Sequence, residues 1–113
     1  MTLGRVPRLF GSQTRTQLLI AIRLLGETYP TELATLLGVR LYSVQRALES
    51  LEGESVLVSR QLGRTRRICL NPRYFAHREL DGLLWKLGEH DAQLQKALAT
   101  GRRRSRRPGK PGL

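Results

Sequence analysis

Apolar residues fall at helical spacing early in the chain. Leu18, Ile22 and Leu25 share a face that Leu19 widens, and Ser12 stands where an N-cap belongs, so residues 13–25 are predicted as a helix ended by Gly26. The turn signal Tyr29-Pro30 follows. Thr31 is then the expected N-cap of a short helix ending at Leu37, with Leu33, Leu36 and Leu37 inward and Glu32 favouring the positive end of the helix dipole. Gly38 stops that helix as a left-handed residue. A third helix is expected over about residues 41–52, with Val44, Leu48 and Leu51 on its buried side and Tyr42, Ser43, Gln45, Arg46 and Glu49 on the other.

Beyond Gly53 and Ser55 the pattern changes to that of strands. Residues 56–61 and 66–70 read as two strands flanking Leu62-Gly63-Arg64-Thr65, a hairpin with a basic tip. Asn71-Pro72 ends it. Residues 73–100 are rich in helix formers, with Phe75, Leu80, Leu83, Leu84, Leu87, Leu94 and Leu98 supplying an apolar face, while Gly82 and Gly88 weigh against one uninterrupted helix. Residues 101–113 have no periodicity, much like charge and two prolines, and are expected to be disordered.

A chain of 113 residues has room for one compact domain with a single core. The expected fold class is mostly α with a small β-hairpin, a winged helix-turn-helix. Its parts are an N-terminal arm (1–11), the winged helix-turn-helix domain (12–72), a C-terminal helical segment suited to dimerisation (73–100) and a basic tail (101–113).

Charge sharpens that expectation. Lys and Arg outnumber Asp and Glu by 20 to 9, giving a net +11, more than solubility requires and suggestive of a polyanionic partner. The tail contributes six of these bases and no acid, which leaves 14 against 9, or +5, in the rest of the chain. The single cysteine, Cys69, cannot form an internal disulfide and sits in no metal-type spacing, so a reducing, cytoplasmic setting is expected. The stretch MTLGRVPRLFGSQ lacks the continuous apolar run of a signal peptide, and the run from Leu18 to Ile22 is closed by Arg23, so no membrane association is expected.

Two short helices joined by Gly38-Val39-Arg40, the second carrying polar residues on its outer face, make a helix-turn-helix pattern. The first helix would brace the second so that its N-terminal part enters a major groove. There Arg suits guanine and Gln suits adenine by bidentate hydrogen bonding. The hairpin strengthens the case, because between Ser55 and Arg78 there are six arginines (Arg60, Arg64, Arg66, Arg67, Arg73 and Arg78) and no acid. Such a wing can straddle phosphates or place an arginine in the adjacent minor groove.

The stretches LFGSQTRTQLL, TELATLLGVRLYSVQRALESLE and VLVSRQLGRTRRICLNP resemble the winged-helix domain of ArsR-like transcriptional regulators, over a span from Leu9 to about Asn71. The resemblance implies that LYSVQRAL is a recognition helix, that the third stretch is the wing, and that flanking helices form a homodimer. By position it places Arg40, Tyr42, Ser43, Gln45 and Arg46 at base or phosphate contacts. Arg64, Thr65 and Arg66 fall at the wing tip, with Arg60 and Arg67 as further DNA-binding candidates. Leu41 stands where such helices usually carry a polar residue, and Ser55 where a glycine commonly precedes the wing.

Metal-sensing members of that family use cysteines near the second helix, or paired Asp and His on the C-terminal helix, and neither set is intact here. His77 and His90 have acids only one or two positions away, which points to different helix faces, so no metal and no cofactor is expected. There is no phosphate loop, zinc-type cluster or nucleophile with a placed histidine, and an enzyme is not expected. Trp85 is expected in the core or a dimer interface, and Cys69 as a small buried strand residue. The expected partner is double-stranded DNA, with the protein acting as a sequence-specific regulator, most simply a repressor. Two alternatives stand beside it: a non-specific, architectural nucleic-acid-binding protein, and a winged-helix protein-interaction module.

Overall fold

The computed structural model describes the backbone of residues 9–105 and the side chains of residues 9–100. The elements run α1 (Gln13–Leu25), α2 (Pro30–Leu37), α3 (Leu41–Gly53), β1 (Leu57–Leu62), β2 (Thr65–Leu70), α4 (His77–Glu89) and α5 (Ala92–Ser105). The protein is thus mostly helical with one antiparallel hairpin. Three helices followed by a hairpin is an order compatible with a winged helix.

α1 is the centre of the fold. Its five consecutive apolar residues, Leu18 to Ile22, are all buried, because α2, α3, α4 and β2 each pack against it. A helix apolar around most of its circumference is stable only when surrounded in this way. Ser12 caps it as expected, its hydroxyl accepting from the Arg15 amide at 3.1 Å. Leu33 from α2, Val44, Leu48 and Leu51 from α3, Leu57 and Ile68 from the hairpin, and Leu84 from α4 complete the core.

α2 begins two residues earlier than the Thr31 cap implied. Pro30 occupies its first turn, where a missing N–H leaves no bond unmade, and Tyr29 takes the cap position without a side-chain cap bond. Gly38 ends α2 in the left-handed conformation, at φ 65°. Arg40 takes the cap position of α3.

β1 lies one residue later than expected and β2 starts one residue earlier, so the connection is a two-residue turn, Gly63-Arg64, with Leu62 paired to Thr65. Gly63 at φ 62° permits that tight reversal. Thr28 adds an isolated antiparallel bridge on the other edge of β2, exchanging both backbone hydrogen bonds with Ile68 at 2.8 and 2.9 Å.

The C-terminal segment is two helices, and the break falls at neither Gly82 nor Gly88. It falls at His90-Asp91, where the Asp91 carboxylate accepts from the Leu94 amide at 2.9 Å and so starts α5. α4 covers α1, and α5 folds back on α2 and α4. The apolar face of this segment is therefore used largely within the chain: Leu84, Leu94 and Leu98 are buried, and Leu80 and Leu87 half-buried against the core. Phe75 and Leu83 instead stay exposed. Trp85 is not a core residue either; it is 44% exposed, with the Arg23 guanidinium 4.8 Å from its ring centre. The helical backbone of α5 continues to Ser105, into the stretch expected to be tail, and residues 106–113 lie outside the described residues.

Candidate nucleic-acid interface

α3 presents two unlike faces. Val44, Leu48 and Leu51 are buried, whereas Arg40, Tyr42, Ser43, Gln45, Arg46 and Glu49 are exposed. Tyr42, Gln45, Arg46 and Glu49 follow the i, i+3, i+4, i+7 spacing of one outward stripe, and Ser43 borders it. Within the stripe Arg46 is oriented by Tyr42. Its Nη1 donates to the Tyr42 hydroxyl at 3.0 Å, and its guanidinium lies 5.7 Å from the ring centre. The pair holds a cation outward, and no described ion pair engages it, although Glu49 shares the stripe.

The hairpin divides its arginines between two faces. Register pairs Leu57 with Leu70, Ser59 with Ile68 and Gln61 with Arg66, and alternation puts these six on one face. Ile68, Leu57 and Leu70 on that face are buried, so Arg66 is directed toward the body of the protein. It forms an ion pair with Glu52 of α3, its Nε donates to the Ser59 hydroxyl at 3.3 Å, and that hydroxyl donates to Glu52 at 2.6 Å. The opposite face carries the cross-strand pair Arg60 and Arg67. Two like charges side by side would repel. Both are instead met by the segment before α2: Arg60 lies 3.2 Å from a Glu27 oxygen, and Arg67 sits 5.1 Å from the Tyr29 ring centre. Thr28 explains the arrangement, since its bridge to Ile68 directs its own side chain inward and its two neighbours toward the arginine pair.

Arg64 has no such partner. It lies in the turn, fully on the exposed side of the fold, and no described ion pair involves it. Thr65 is half-buried beside it. Of the hairpin candidates, then, Arg64 is the cation left available, Arg60 and Arg67 are exposed or half-exposed but engaged, and Arg66 is a strut between hairpin and α3. Sequence reasoning missed Glu27, Tyr29 and Glu52, which decide this division. The acid at Glu52 and the alternation of the second strand carried a signal for the last of them.

No family model matches the sequence, and no curated protein or solved structure is similar enough to be matched to it. The site therefore rests on its own geometry.

Among the described residues no group of three or more His, Cys, Asp or Glu side chains lies close enough to hold a metal ion, and no helix is long and apolar enough to cross a membrane. Cys69, half-buried on β2, has its thiol pKa raised by burial and by the nearby Glu27 carboxylate, with Arg60 opposing. A thiol held neutral in this way is a poor nucleophile at neutral pH.

Proposed function

We propose that this protein is a sequence-specific double-stranded DNA-binding regulator of transcription, built as a winged helix-turn-helix and acting as a repressor. The observation that carries the proposal is α3: a helix anchored on one side by three buried residues and offering Tyr42, Gln45 and Arg46 as an outward stripe. In a major groove Gln45 and Arg46 supply the hydrogen-bonding groups that distinguish adenine and guanine, while Arg40 and Ser43 at the helix start suit phosphates. The hairpin forms the wing, and Arg64 at its tip reaches the flanking backbone or minor groove. The resemblance to ArsR-like regulators supports the same assignment of parts.

Such a regulator works as a homodimer in the cytoplasm, with two recognition helices about one turn of DNA, roughly 34 Å, apart. Because most of the apolar face of α4 and α5 is spent inside the chain, pairing draws on what stays exposed, Phe75, Leu83 and Trp85.

Fluorescence anisotropy against duplex from the region upstream of its own gene, with scrambled duplex as competitor and several salt concentrations, tests the proposal. A preference of about 10³-fold or more for the upstream duplex is expected. Equal affinity for both duplexes would identify a non-specific, architectural binder, and no binding at moderate salt would favour a protein-interaction module.

A further inference from the structure

A cavity of about 260 Å³ opens between the start of α1, the end of α3 and the start of α4. Its walls include the buried Leu19, Leu51 and Val56 and the half-buried Leu80, and its charged members are Arg15 and Glu54. We propose that this cavity binds a small monocarboxylate with an apolar body, held by Arg15.

Arg15 is the reason for the carboxylate. Its side chain is only 21% exposed, and its donors are partly used: Nε bonds the Phe10 carbonyl at 2.7 Å, Nη1 the Ser50 hydroxyl at 2.6 Å and Nη2 a Glu54 oxygen at 3.2 Å. A guanidinium has five N–H groups, so two remain open. The Glu54 contact is the longest of the three, and its carboxylate is 61% exposed, so it is the partner most readily exchanged. A ligand carboxylate can accept from Arg15 in the two-pronged geometry that Glu54 does not achieve. The first two bonds fix the guanidinium to the turn before α1 and to α3, so it is held in place before a ligand arrives.

The walls set the rest of the ligand. Aliphatic side chains together with the Phe10 and Tyr74 rings favour an apolar body over a sugar or a phosphate ester. The volume falls just below the range of about 300–1,000 Å³ usual for drug-sized ligands, so a single ring or short chain fits and a multi-ring compound does not. Ser50, Leu51 and Glu54 belong to the last turn and cap of α3, so an occupant touches the base of the helix assigned to DNA. An effect of the occupant on DNA affinity rests on the proposed DNA-binding function; the site itself does not.

The test is an amide-resolved NMR titration of the full chain with benzoate and, as uncharged isostere, benzamide. Saturable shifts confined to the neighbourhood of Phe10, Arg15, Leu51, Glu54 and Leu80 are expected, with benzoate about tenfold tighter than benzamide, the factor given by one additional charge-assisted hydrogen bond. Arg15→Gln should remove that preference, and Leu80→Phe, which narrows the cavity while keeping the arginine, should remove binding of both compounds. Equal affinity for the two compounds, shifts scattered over the basic surface, or full benzoate binding in Leu80→Phe would overturn the proposal. Should Arg15→Gln fail to fold, Leu80→Phe decides. A failed DNA titration leaves these results untouched, so the two proposals fall separately.

Discussion

Arg66 of β2 is ion-paired with Glu52 near the end of α3, and Ser59 of β1 bonds to both. The three side chains fasten the hairpin to the helix at a fixed angle. Both charged groups are only partly exposed, at 34% and 24%, so the pair is screened less than a surface bridge but far from dry. Arg66→Met and Glu52→Gln should each lower stability by about 1 kcal/mol, with a coupling energy of about 0.5–1 kcal/mol in a double-mutant cycle. Urea unfolding of the four proteins measures it. Strict additivity would mean that the two residues do not support one another.

Ser55 adopts φ 66° between α3 and β1, the left-handed region in which a Cβ crowds the backbone. It is the one non-glycine residue with positive φ among those described. Its side chain is exposed, so a glycine there loses no packing. Ser55→Gly should therefore raise stability by about 0.5–1 kcal/mol, seen as a Tm several degrees higher for a domain of this size. A lowered Tm would show that the serine contributes something the backbone geometry does not reveal.

Two glycines of α4 should respond in opposite directions to the same change. A Cβ on Gly82 meets nothing within 4 Å, whereas one on Gly88 would fall 2.9–3.1 Å from three atoms of Leu24. Gly82→Ala should gain about 0.5–1 kcal/mol from helix propensity alone. Gly88→Ala must push the Leu24 branch away from the α1–α4 contact, and overpacking of about 1–3 kcal/mol outweighs the propensity gain. Thermal unfolding of the two variants side by side checks the sign; a stabilised Gly88→Ala would mean that α1 and α4 are less closely apposed.

Much of this architecture is legible from local pattern, and what escapes depends on contacts between distant segments. The span of α1 follows from Ser12, the apolar spacing and Gly26, all within one helix. The division at His90-Asp91 is a local signal too, an Asp able to cap, but it is easily overshadowed by the glycines of α4, which the tertiary packing tolerates. The hairpin arginines are different. Four arginines without an acid among them look alike in sequence, and only the register and the approach of Glu27, Tyr29 and Glu52 separate those engaged by the rest of the protein from the one at the turn. That Trp85 stays out of the core is likewise hidden from local pattern, because Arg23, far away in sequence, supplies the cation that lies against its ring.

Arg64 and Arg66, two residues apart, should separate cleanly in a DNA titration. Arg64 projects from the turn and takes part in no described ion pair, so its charge is available to neutralise a phosphate. Each phosphate neutralised releases counterions and contributes about 0.9 to the slope of log K against log salt. Arg64→Ala should accordingly reduce that slope by roughly one and weaken cognate and scrambled duplex alike, with unchanged stability to urea. Arg66 already spends its charge on Glu52, so Arg66→Met should leave the slope nearly as it was and act through the placement of the hairpin, with the stability loss argued above. Anisotropy titrations of both variants at several salt concentrations decide between them. If the slope fell for Arg66→Met and held for Arg64→Ala, the ion pair to Glu52 would have to open on DNA, and the hairpin would dock through its inner face instead of its tip.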